Sequence, residues 1–396
     1  MKHDWKYIKL GDIISPAKVV RNGANKKFPV LSITMRDGIV LQSSRFKKSI
    51  ASVDTSDYKV VYNGQLVIAF PIDEGLIYTQ DIVDAGIMSP AYNVWNVDFL
   101  EIDRKFLVLY LHCPFSMAYY KSKLRGTTMR RRSMPKEDLL NMPLPVPSFS
   151  VQQSIVSELD KINELIRLKK EQLKDYDNLA QSIFYEMFGD PVVNEKGWEV
   201  KKLGELSDLI CNGNTPKGGS EVYVDTGFLF LRSQNVWKNR IELDDVAFID
   251  EATHKSLKKS SLKHNDLLIT KTGRINTENS SLGRTALFEG EDNSANINGH
   301  VYLVRLKDGM VHKFVLYILI SNSYRELIRK TCVGGIDKRQ LNKDHIEDFP
   351  IIFPPIELQK KYVERIELIE KQKDQVRSTI QALETLLASR MQYWFG

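Results

Sequence analysis

The sequence predicts a mixed α+β (α/β) fold of two small domains in tandem, separated by two long helices that form an antiparallel coiled coil. Three observations predict it. A long helical pattern with an apolar stripe occurs twice, a tryptophan-led motif occurs near the start of each globular stretch, and a proline-rich lead-in precedes each helix. At 396 residues the chain is long enough for two or three domains, each with its own core.

The helical patterns run from about Val151 to Met187 and from about Leu358 to Trp394, at a constant offset of 207 positions. In heptad steps, nine of ten positions in the first copy and eight of ten in the second are apolar. A stripe held in phase over so many heptads requires a helical partner, and the obvious partner of each copy is the other. The predicted seam consists of Ile155, Leu159, Ile162, Ile166, Leu173, Tyr176 and Ile183 in the first copy, and Ile366, Ile369, Val376, Ile380, Leu383 and Leu387 in the second.

The motif W-x-x-x-K-L-G-[DE]-[IL] begins at Trp5 and again at Trp198. A globular stretch followed by a helix therefore occurs twice, which is the signature of a tandem repeat. We predict four segments. They are a first globular domain at 1–142, a proline lead-in and central spacer helix at 143–197, a second globular domain at 198–349, and a proline lead-in and C-terminal spacer helix at 350–396.

Each globular segment combines strand-like runs with one helix. The prolines of 143–147 and 350–355 favour extended backbone and fix where the long helices start. Strands are predicted at 65–70 and 92–97 with a helix at 104–124 in the first segment, and strands at 266–270 and 301–306 with a helix at 313–329 in the second.

Composition limits the functional classes. The longest apolar run, FVLYILI at 314–320, is far shorter than the roughly 20 residues of a membrane helix. The first ten residues lack the apolar core of a signal peptide, so a cytoplasmic location is expected. Three scattered cysteines predict neither a disulfide framework nor structural zinc. The net charge of +6 is compatible with a polyanionic partner.

The strongest basic segment is 121–132, where six of twelve residues are Lys or Arg and none is acidic. Its Gly-Thr-Thr centre predicts a loop whose amides and hydroxyls meet phosphates, while the arginines reach phosphates or guanine edges. A solvated surface loop is the alternative. The corresponding segment 333–340 keeps the glycines and a Lys-Arg pair but lacks the threonines.

Other basic and amide side chains in both halves are weaker candidates for contacts with nucleic acid. For each single residue, a solvated surface position is an equally good interpretation. The full predicted set is Arg36, Arg45, Lys47, Lys48, Lys121, Lys123, Arg125, Gly126, Thr127, Thr128, Arg130, Arg131 and Arg132 in the first half, and Arg232, Gln234, Asn235, Lys238, Arg240, Lys271, Arg274, Arg284, Lys338 and Arg339 in the second.

Motifs of catalysis are absent from the sequence. It contains no G-x-x-x-x-G-K-[ST], G-x-G-x-x-G, H-E-x-x-H or G-x-S-x-G. Ser89-Pro-Ala-Tyr92 lacks key residues of the amino-methyltransferase motif, and a nuclease-like pattern at Glu199-Val-Lys201 also occurs elsewhere by chance. We therefore predict no catalytic residue and no metal ligand.

Taken together, these features resemble the specificity subunit of type I restriction–modification systems over nearly the full length. The resemblance rests on the paired motifs at Trp5 and Trp198, the G-T-T-x-x-R loop at 126–131, the acidic step at 136–140, the prolines and the long helix ending in Phe-Gly. No single motif is strong, but their tandem order is specific.

The resemblance implies that each globular domain is a target recognition domain reading one half of a bipartite DNA sequence. It also implies that the paired helices dock two modification subunits, which use S-adenosylmethionine, and that restriction subunits using ATP and Mg²⁺ join them. This chain would then be non-catalytic, bind double-stranded DNA, carry no cofactor and contact no membrane. The polar helix faces left for the partners are Glu164, Arg167 and Lys170 on one copy and Glu367, Lys371 and Asp374 on the other.

A helix of this length extends roughly 55 Å at 1.5 Å per residue, more than the 34–36 Å of about one DNA turn. We therefore expect the helices to act as a ruler for an unread spacer between half-sites. Two alternatives stay open: a coiled-coil scaffold with merely basic surfaces, and a stand-alone nuclease or methyltransferase.

Overall fold

The computed structural model describes residues 5–23, 28–35, 37–45, 54–125, 134–275, 277, 279–335 and 337–396. The chain forms two compact units. The first consists of Met1–Glu171 with Arg377–Gly396, and the second of Gln172–Val376. Among the described residues, no helix is both long and apolar enough to cross a bilayer.

The helices are α1 (Gln42–Arg45), α2 (Arg104–Leu111), α3 (Pro114–Lys123), α4 (Lys136–Leu140), α5 (Phe149–Phe188), α6 (Glu251–Ser256), α7 (His312–Leu319), α8 (Asn322–Thr331), α9 (Lys343–Glu347) and α10 (Ile356–Phe395). The strands of the first unit are β1 (Lys6–Lys9), β2 (Ile14–Pro16), β3 (Leu31–Thr34), β4 (Gly38–Leu41), β5 (Lys59–Tyr62), β6 (Leu66–Ile68), β7 (Ile77–Thr79), β8 (Ala85–Met88), β9 (Asn93–Val97) and β10 (Pro143–Val146). Those of the second are β11 (Val200–Lys202), β12 (Ser207–Asn212), β13 (Tyr223–Val224), β14 (Phe228–Leu231), β15 (Val236–Trp237), β16 (Arg240–Ile241), β17 (Ala247–Ile249), β18 (Leu267–Thr270), β19 (Thr272–Gly273), β20 (Thr285–Leu287), β21 (Ala295–Ile297), β22 (Val301–Leu306), β23 (Val333–Gly335), β24 (Lys338–Gln340) and β25 (Pro350–Ile352).

Both units are built on a four-stranded antiparallel sheet with the same strand order. The order is β2-β9-β6-β7 in the first unit and β12-β22-β18-β20 in the second. Apart from one two-stranded sheet present in each unit, the strands outside these sheets differ. The first unit adds the pairs β3-β4 and β5-β8, whereas the second adds the sheets β13-β17-β14-β21 and β19-β24-β23 and the hairpin β15-β16. A shared frame therefore carries different peripheral strands.

The repeated tryptophan-led motif and the proline lead-in form a two-stranded sheet in each unit. In the first, β1 pairs with β10, and the Leu10 amide then donates to the Met142 carbonyl at 2.8 Å. In the second, β11 pairs with β25, and the Leu203 amide donates to the Phe349 carbonyl at 2.9 Å. Both leucines are buried. The motif thus closes each unit on the segment that leads into the long helix.

A buried glutamine repeats this closure at the start of each long helix. The Gln152 side-chain amide donates to the Pro147 carbonyl at 2.9 Å, and that of Gln359 donates to the Pro354 carbonyl at 2.8 Å. Both side chains are almost fully buried. The prolines leave acceptors that the glutamines satisfy, so these residues define the turn into α5 and α10.

The helix predicted at 104–124 is wrong as one continuous element, because the chain breaks into α2 and α3. Pro114 disfavours helix at the preceding residue, and Cys113 is extended, with φ −69° and ψ 161°. The prediction at 313–329 is wrong in the same way. Ser321 is extended between α7 and α8, and its hydroxyl accepts from the Tyr324 amide at 3.3 Å.

In the first unit, the beginning of α5 packs antiparallel to the end of α10. Glu158 forms an ion pair with Arg390 and accepts from the Trp394 indole at 3.1 Å, while Lys170 pairs with Glu384 at 2.8 Å. As residue numbers rise along α5, those of the partners fall along α10. The same unit packs Phe395, near the end of α10, against Phe106 of α2 at 5.5 Å between ring centroids.

In the second unit, the end of α5 packs antiparallel to the beginning of α10. Asp177 pairs with Lys373 at 2.8 Å, and Phe184 packs edge-on against Tyr362 at 5.4 Å. Phe188 at the end of α5 packs against Phe314 of α7 at 4.9 Å. Each Phe-Gly helix end therefore anchors in the core of one unit.

The predicted seam residues are all buried or half-buried where α5 and α10 pack, and none of them is exposed. Ile155, Leu159, Ile162, Ile166, Ile366, Ile369, Val376 and Ile380 are buried, and Leu173, Tyr176, Ile183, Leu383 and Leu387 are half-buried. Their burial contributes roughly 25 cal/mol per Å² of apolar surface removed from water.

Candidate nucleic-acid interface

The small sheet β19-β24-β23 brings two distant basic segments of the second unit together. Thr272 pairs with Gln340 and Gly273 with Arg339, while Gly335 lies opposite Lys338 on the other side. The register therefore places the segment around 271–274 beside the segment 333–340. No local sequence pattern indicated that these two segments lie side by side.

Four predicted contact residues lie on or beside this sheet: Lys271, Arg274, Lys338 and Arg339. Arg274 and Lys338 are exposed, and the structure records no ion pair for any of the four with another described residue. Arg339 donates to the Cys332 carbonyl at 3.2 Å, and the Lys271 ammonium lies 5.8 Å from the centre of the Tyr302 ring. We name these four residues the cationic sheet cluster. Cations without acidic partners attract phosphates without first breaking an internal pair.

The predicted contacts around Asp245 have internal partners. Arg232 pairs with Asp245 at 3.2 Å, and Gln234 donates to the same carboxylate at 2.7 Å. These hydrogen bonds lower the pKa of Asp245, chiefly that from Gln234 and next that from Arg232. Asn235 is only 1% exposed, and its amide donates to the Glu242 and Asp245 carbonyls at 3.0 Å. Asn235 therefore holds the loop, and its prediction as a base contact is not supported by its position.

The β15-β16 hairpin carries an aromatic platform that the sequence prediction missed. The guanidinium of Arg284 lies 3.7 Å from the centre of the Trp237 ring, and that of Arg240 lies 5.5 Å from it. Arg240 also pairs with Glu242 at 2.6 Å, and burial lowers the pKa of Arg284. The local signal in the sequence was Trp237, which lies two residues before Asn239 and three before Arg240. Its partner Arg284 is distant in sequence.

Lys238 at the hairpin tip remains exposed, yet partial desolvation of its ammonium lowers its pKa. Asp177 acts in the opposite direction, and the cations Arg325 and Lys373 add to the lowering. The neighbouring Asn239 donates to Glu370 of α10 at 3.2 Å. The hairpin tip therefore lies by the long helices of its own unit, away from a free basic surface.

In the first unit the described part of the basic segment is the end of α3 and the two residues after it. Lys121 is exposed, whereas Lys123 and Arg125 lie 3.8 and 3.5 Å from Asp138. Gly126, Thr127, Thr128, Arg130, Arg131 and Arg132 lie outside the described residues, as do Arg36, Lys47 and Lys48 and the side chain of Arg45. In the order of elements along the chain, this segment corresponds to the segment of the second unit where α8 leads into β23.

The described residues contain no group of three or more His, Cys, Asp or Glu side chains placed to hold a metal ion. The three cysteines are free, and Cys113 and Cys332 are buried. Burial raises the pKa of the Cys113 thiol, which disfavours the reactive thiolate.

Comparison with known proteins decides the family. The sequence model of the type I restriction modification DNA specificity domain matches residues 2–175 and again residues 195–385. The chain belongs to the type I restriction–modification DNA specificity family. It is therefore a specificity subunit, whose function is DNA target recognition, and the predicted family is confirmed.

Relatives and a solved structure agree. The chain is 23% identical, over 97% of its length and 92% of the relative, to the type I restriction enzyme MjaVIII specificity subunit of Methanocaldococcus jannaschii. It is 22% identical to the StySPI specificity subunit of Salmonella potsdam, over 68% of this chain and 62% of that one. A solved chain described under complex assembly and conformational transition of the type I R-M system is similar to this chain, with a TM-score of 0.59 and 20% sequence identity. The match covers 99% of this chain and 97% of that one.

These comparisons confirm the predicted fold class of two tandem domains with long helices, and the prediction of a non-catalytic recognition subunit. They also support a DNA partner and a restriction–modification complex as the setting of this chain. Family membership agrees with the expectation that this chain itself carries no cofactor.

Proposed function

We propose that the two units of this specificity subunit read two different DNA half-sites. The supporting observation is the shared four-stranded frame with unlike peripheral strands, since a common frame docks alike while unlike edges contact unlike bases. In the second unit, the cationic sheet cluster supplies unpaired positive charge. In the first unit we assign the DNA contact to the basic segment 121–132, because six of its twelve residues are Lys or Arg. Because a subunit that recognises DNA acts where its DNA is, a cytoplasmic location is part of the proposal.

The test uses the pair Arg274→Gln and Lys338→Gln in the full chain, with Lys307→Gln as the matched control. Lys307 is an exposed cation in the same unit, directly after β22, and Lys271 lies level with the opposite end of that strand. We expect the pair to weaken DNA binding and to reduce the slope of log K against log salt by about 0.9 for each lost phosphate contact. The control should leave both unchanged. Equal losses in all variants would reject the cluster as the contact surface.

We propose further that two modification subunits bind the long helices, and that they carry the S-adenosylmethionine-dependent chemistry. Leu179 on α5 and Leu386 on α10 stand at the repeat offset and are 47% and 45% exposed. An exposed leucine repeated at equivalent positions suits two copies of one partner. The same helices carry exposed charges: Glu164, Arg167 and Glu171 form an ion-pair network on α5, while Glu367 of α10 pairs with Lys313. Restriction subunits with ATP and Mg²⁺ would join this assembly.

Native mass spectrometry of the reconstituted complex measures this stoichiometry. We expect Leu179→Ser and Leu386→Ser each to favour a complex with one modification subunit, and the double variant to favour none. Leu100→Ser is the control, because Leu100 is 85% exposed and lies outside the long helices. Two subunits retained in the double variant would count against this docking site.

We propose that the paired helices set the spacer between the half-sites. Each helix has 40 residues and extends about 60 Å at 1.5 Å per residue. Because the helices pair antiparallel, a clean test removes seven residues from each at facing positions. The expected result is a shorter or lost spacer with unchanged half-sites, read by mapping adenine methylation. A preserved spacer length would contradict the proposal that the helices set the spacer. A scaffold without sequence preference would show no bipartite motif at all.

A further inference from the structure

A small basic pocket lies in the first unit, and one of its lining residues belongs to α4. Its volume is about 220 Å³, and it is lined by the stretch 16–19 at and just after the end of β2, the start of β5, the start of β9 and this residue of α4. The stretch bridges two sheets. The Ala17 amide donates to Val94 of β9 at 3.0 Å, and the Val60 amide of β5 donates to Val20 at 2.8 Å.

Three of the ten lining residues are lysines, Lys18, Lys59 and Lys136, and none is acidic. The lysines come from three separate parts of the chain, so no local sequence pattern indicates that they meet. Within the described part of the chain, the structure records no ion pair for any of the three. Three cations converging without a counter-charge favour binding of an anion.

Trp95 also lines the pocket and carries a buried indole N–H. Trp95 is 6% exposed, and its indole Nε1 is buried and has no acceptor among the described residues. A buried donor left unpaired costs about 1–3 kcal/mol, and the described residues supply no acceptor for this one. The Lys136 ammonium lies 5.5 Å from the centre of the Trp95 indole.

Lys59 is the most enclosed of the three lysines. Its ammonium donates to the Tyr92 carbonyl at 2.6 Å, which leaves two of its three donors for another acceptor. Burial, followed by repulsion from Arg21, lowers the pKa of Lys59. A bound anion would reverse that effect, because it favours the charged ammonium.

We propose that this pocket binds a phosphoryl group through Lys18, Lys59 and Lys136. The phosphate comes either from a DNA backbone or from a free phosphorylated small molecule. The pocket stands on its own geometry and does not depend on the half-site proposal.

The test is NMR of the full chain with ¹⁵N-labelled tryptophan. The chain has five tryptophans, and Trp95→Phe assigns the Trp95 indole signal. Pyrophosphate and a 12-base-pair duplex are titrated separately. We expect the Trp95 signal to move saturably, and Lys59→Gln or Lys18→Gln to weaken pyrophosphate binding by about tenfold. Lys9→Gln, which removes an exposed charge from β1 in the same unit, should change nothing.

The two titrations separate the sources of the phosphate. Movement with both probes, with pyrophosphate competing against the duplex, supports a DNA backbone phosphate. Movement with pyrophosphate alone supports a small phosphorylated ligand. A still Trp95 signal under both probes overturns the proposal, as does unchanged affinity in both lysine variants. Loss of sequence-selective DNA binding while the signal still moves would count against the half-site proposal alone.

Discussion

Arg390, five residues before the end of α10, forms an ion pair with Glu158, near the start of α5, across 232 positions of sequence. The heptad pattern places Arg390 in the apolar seam, where a charge is costly. The structure resolves the conflict inside the first unit, because Glu158 accepts from both Arg390 and the Trp394 indole. A polar pair at one point of a helical seam fixes the register of the helices.

Glu158→Gln should lower the stability of the first unit. The pair is about one-third exposed, so solvent screening limits the loss to about 1 kcal/mol, or 2–4 °C in Tm for a unit of this size. Differential scanning calorimetry measures it. Glu186→Gln is the control, since Glu186 is an exposed residue of the same helix. An equal loss in the control would mean that the pair has no special role.

The same pair predicts an acid dependence. The hydrogen bond from Arg390 is the largest cause that lowers the pKa of Glu158 below its ordinary 4.5. Its stabilisation is complete above pH 4.5 and is lost as the pH falls through the folded-state pKa. Tm measured from pH 6 to 3 should therefore converge for the wild type and Glu158→Gln. Curves that stay parallel down to pH 3 would contradict this assignment.

In the second unit, Glu370 is the polar residue that we compare with the Glu158–Arg390 pair of the first. Its carboxylate accepts from the Lys373 ammonium, the Tyr317 hydroxyl and Asn239. Lys373 is 5% exposed, so Glu370→Ala leaves a buried ammonium with Asp177 as its remaining partner. We expect a loss of about 2–4 kcal/mol in chemical unfolding.

A double variant isolates the cause. If the loss reflects a stranded charge, adding Lys373→Met to Glu370→Ala should restore much of the stability, because methionine suits a buried seam position. Additive losses in the double variant would assign the effect to Tyr317 and Asn239 instead.

The long helices were the most predictable part of the fold, because a stripe sustained over many turns leaves few alternatives. The observed α5 and α10 extend one or two residues past the predicted ends. The shorter helical stretch at 104–124 failed at Pro114, where apolar spacing outweighed a local breaker that was visible in the sequence. The rule on residues before proline, already applied to the lead-ins, predicts this break as well.

The interface was harder to predict, because charge alone does not say which cations are free. Arg232 and Arg240 have acidic neighbours that neutralise them, while Lys338 and Arg274 do not among the described residues. Pairing of β19 with β24 decides which segments meet, and that pairing spans more than 60 residues of sequence. The Lys18, Lys59 and Lys136 pocket likewise brings together residues that are distant in sequence.

His312 at the start of α7 predicts a second pH dependence. Burial lowers its pKa from 6.5, outweighing Asp266, which acts in the opposite direction. Below pH 6.5 the unfolded state binds the proton first, so stability falls as the pH drops toward the folded-state pKa. His312→Gln should make this slope shallower by at most one proton, about 1.4 kcal/mol per pH unit. His300→Gln, which changes an exposed histidine, should keep the wild-type slope in urea unfolding between pH 7 and 5.

The glycines of the repeated motif make a graded prediction. An added Cβ at Gly11 would lie 3.0 Å from the Leu140 carbonyl oxygen and Cβ, whereas one at Gly204 would lie 3.3 Å from the same atoms of Glu347. Backbone cannot yield as a flexible side chain does. Gly11→Ala should therefore cost about 1–3 kcal/mol and Gly204→Ala less. Gly335→Ala, whose Cβ would meet no described atom within 4 Å, is the control.

Hydrogen exchange reads the two units separately in these glycine variants. The Leu10 amide, bonded to Met142, reports on the first closure, and the Leu203 amide, bonded to Phe349, reports on the second. Each variant should speed exchange at its own reporter and leave the other unchanged, because the two closures belong to different units. A larger effect at Gly204 than at Gly11 would show that α9 shifts less readily than α4, contrary to the distances.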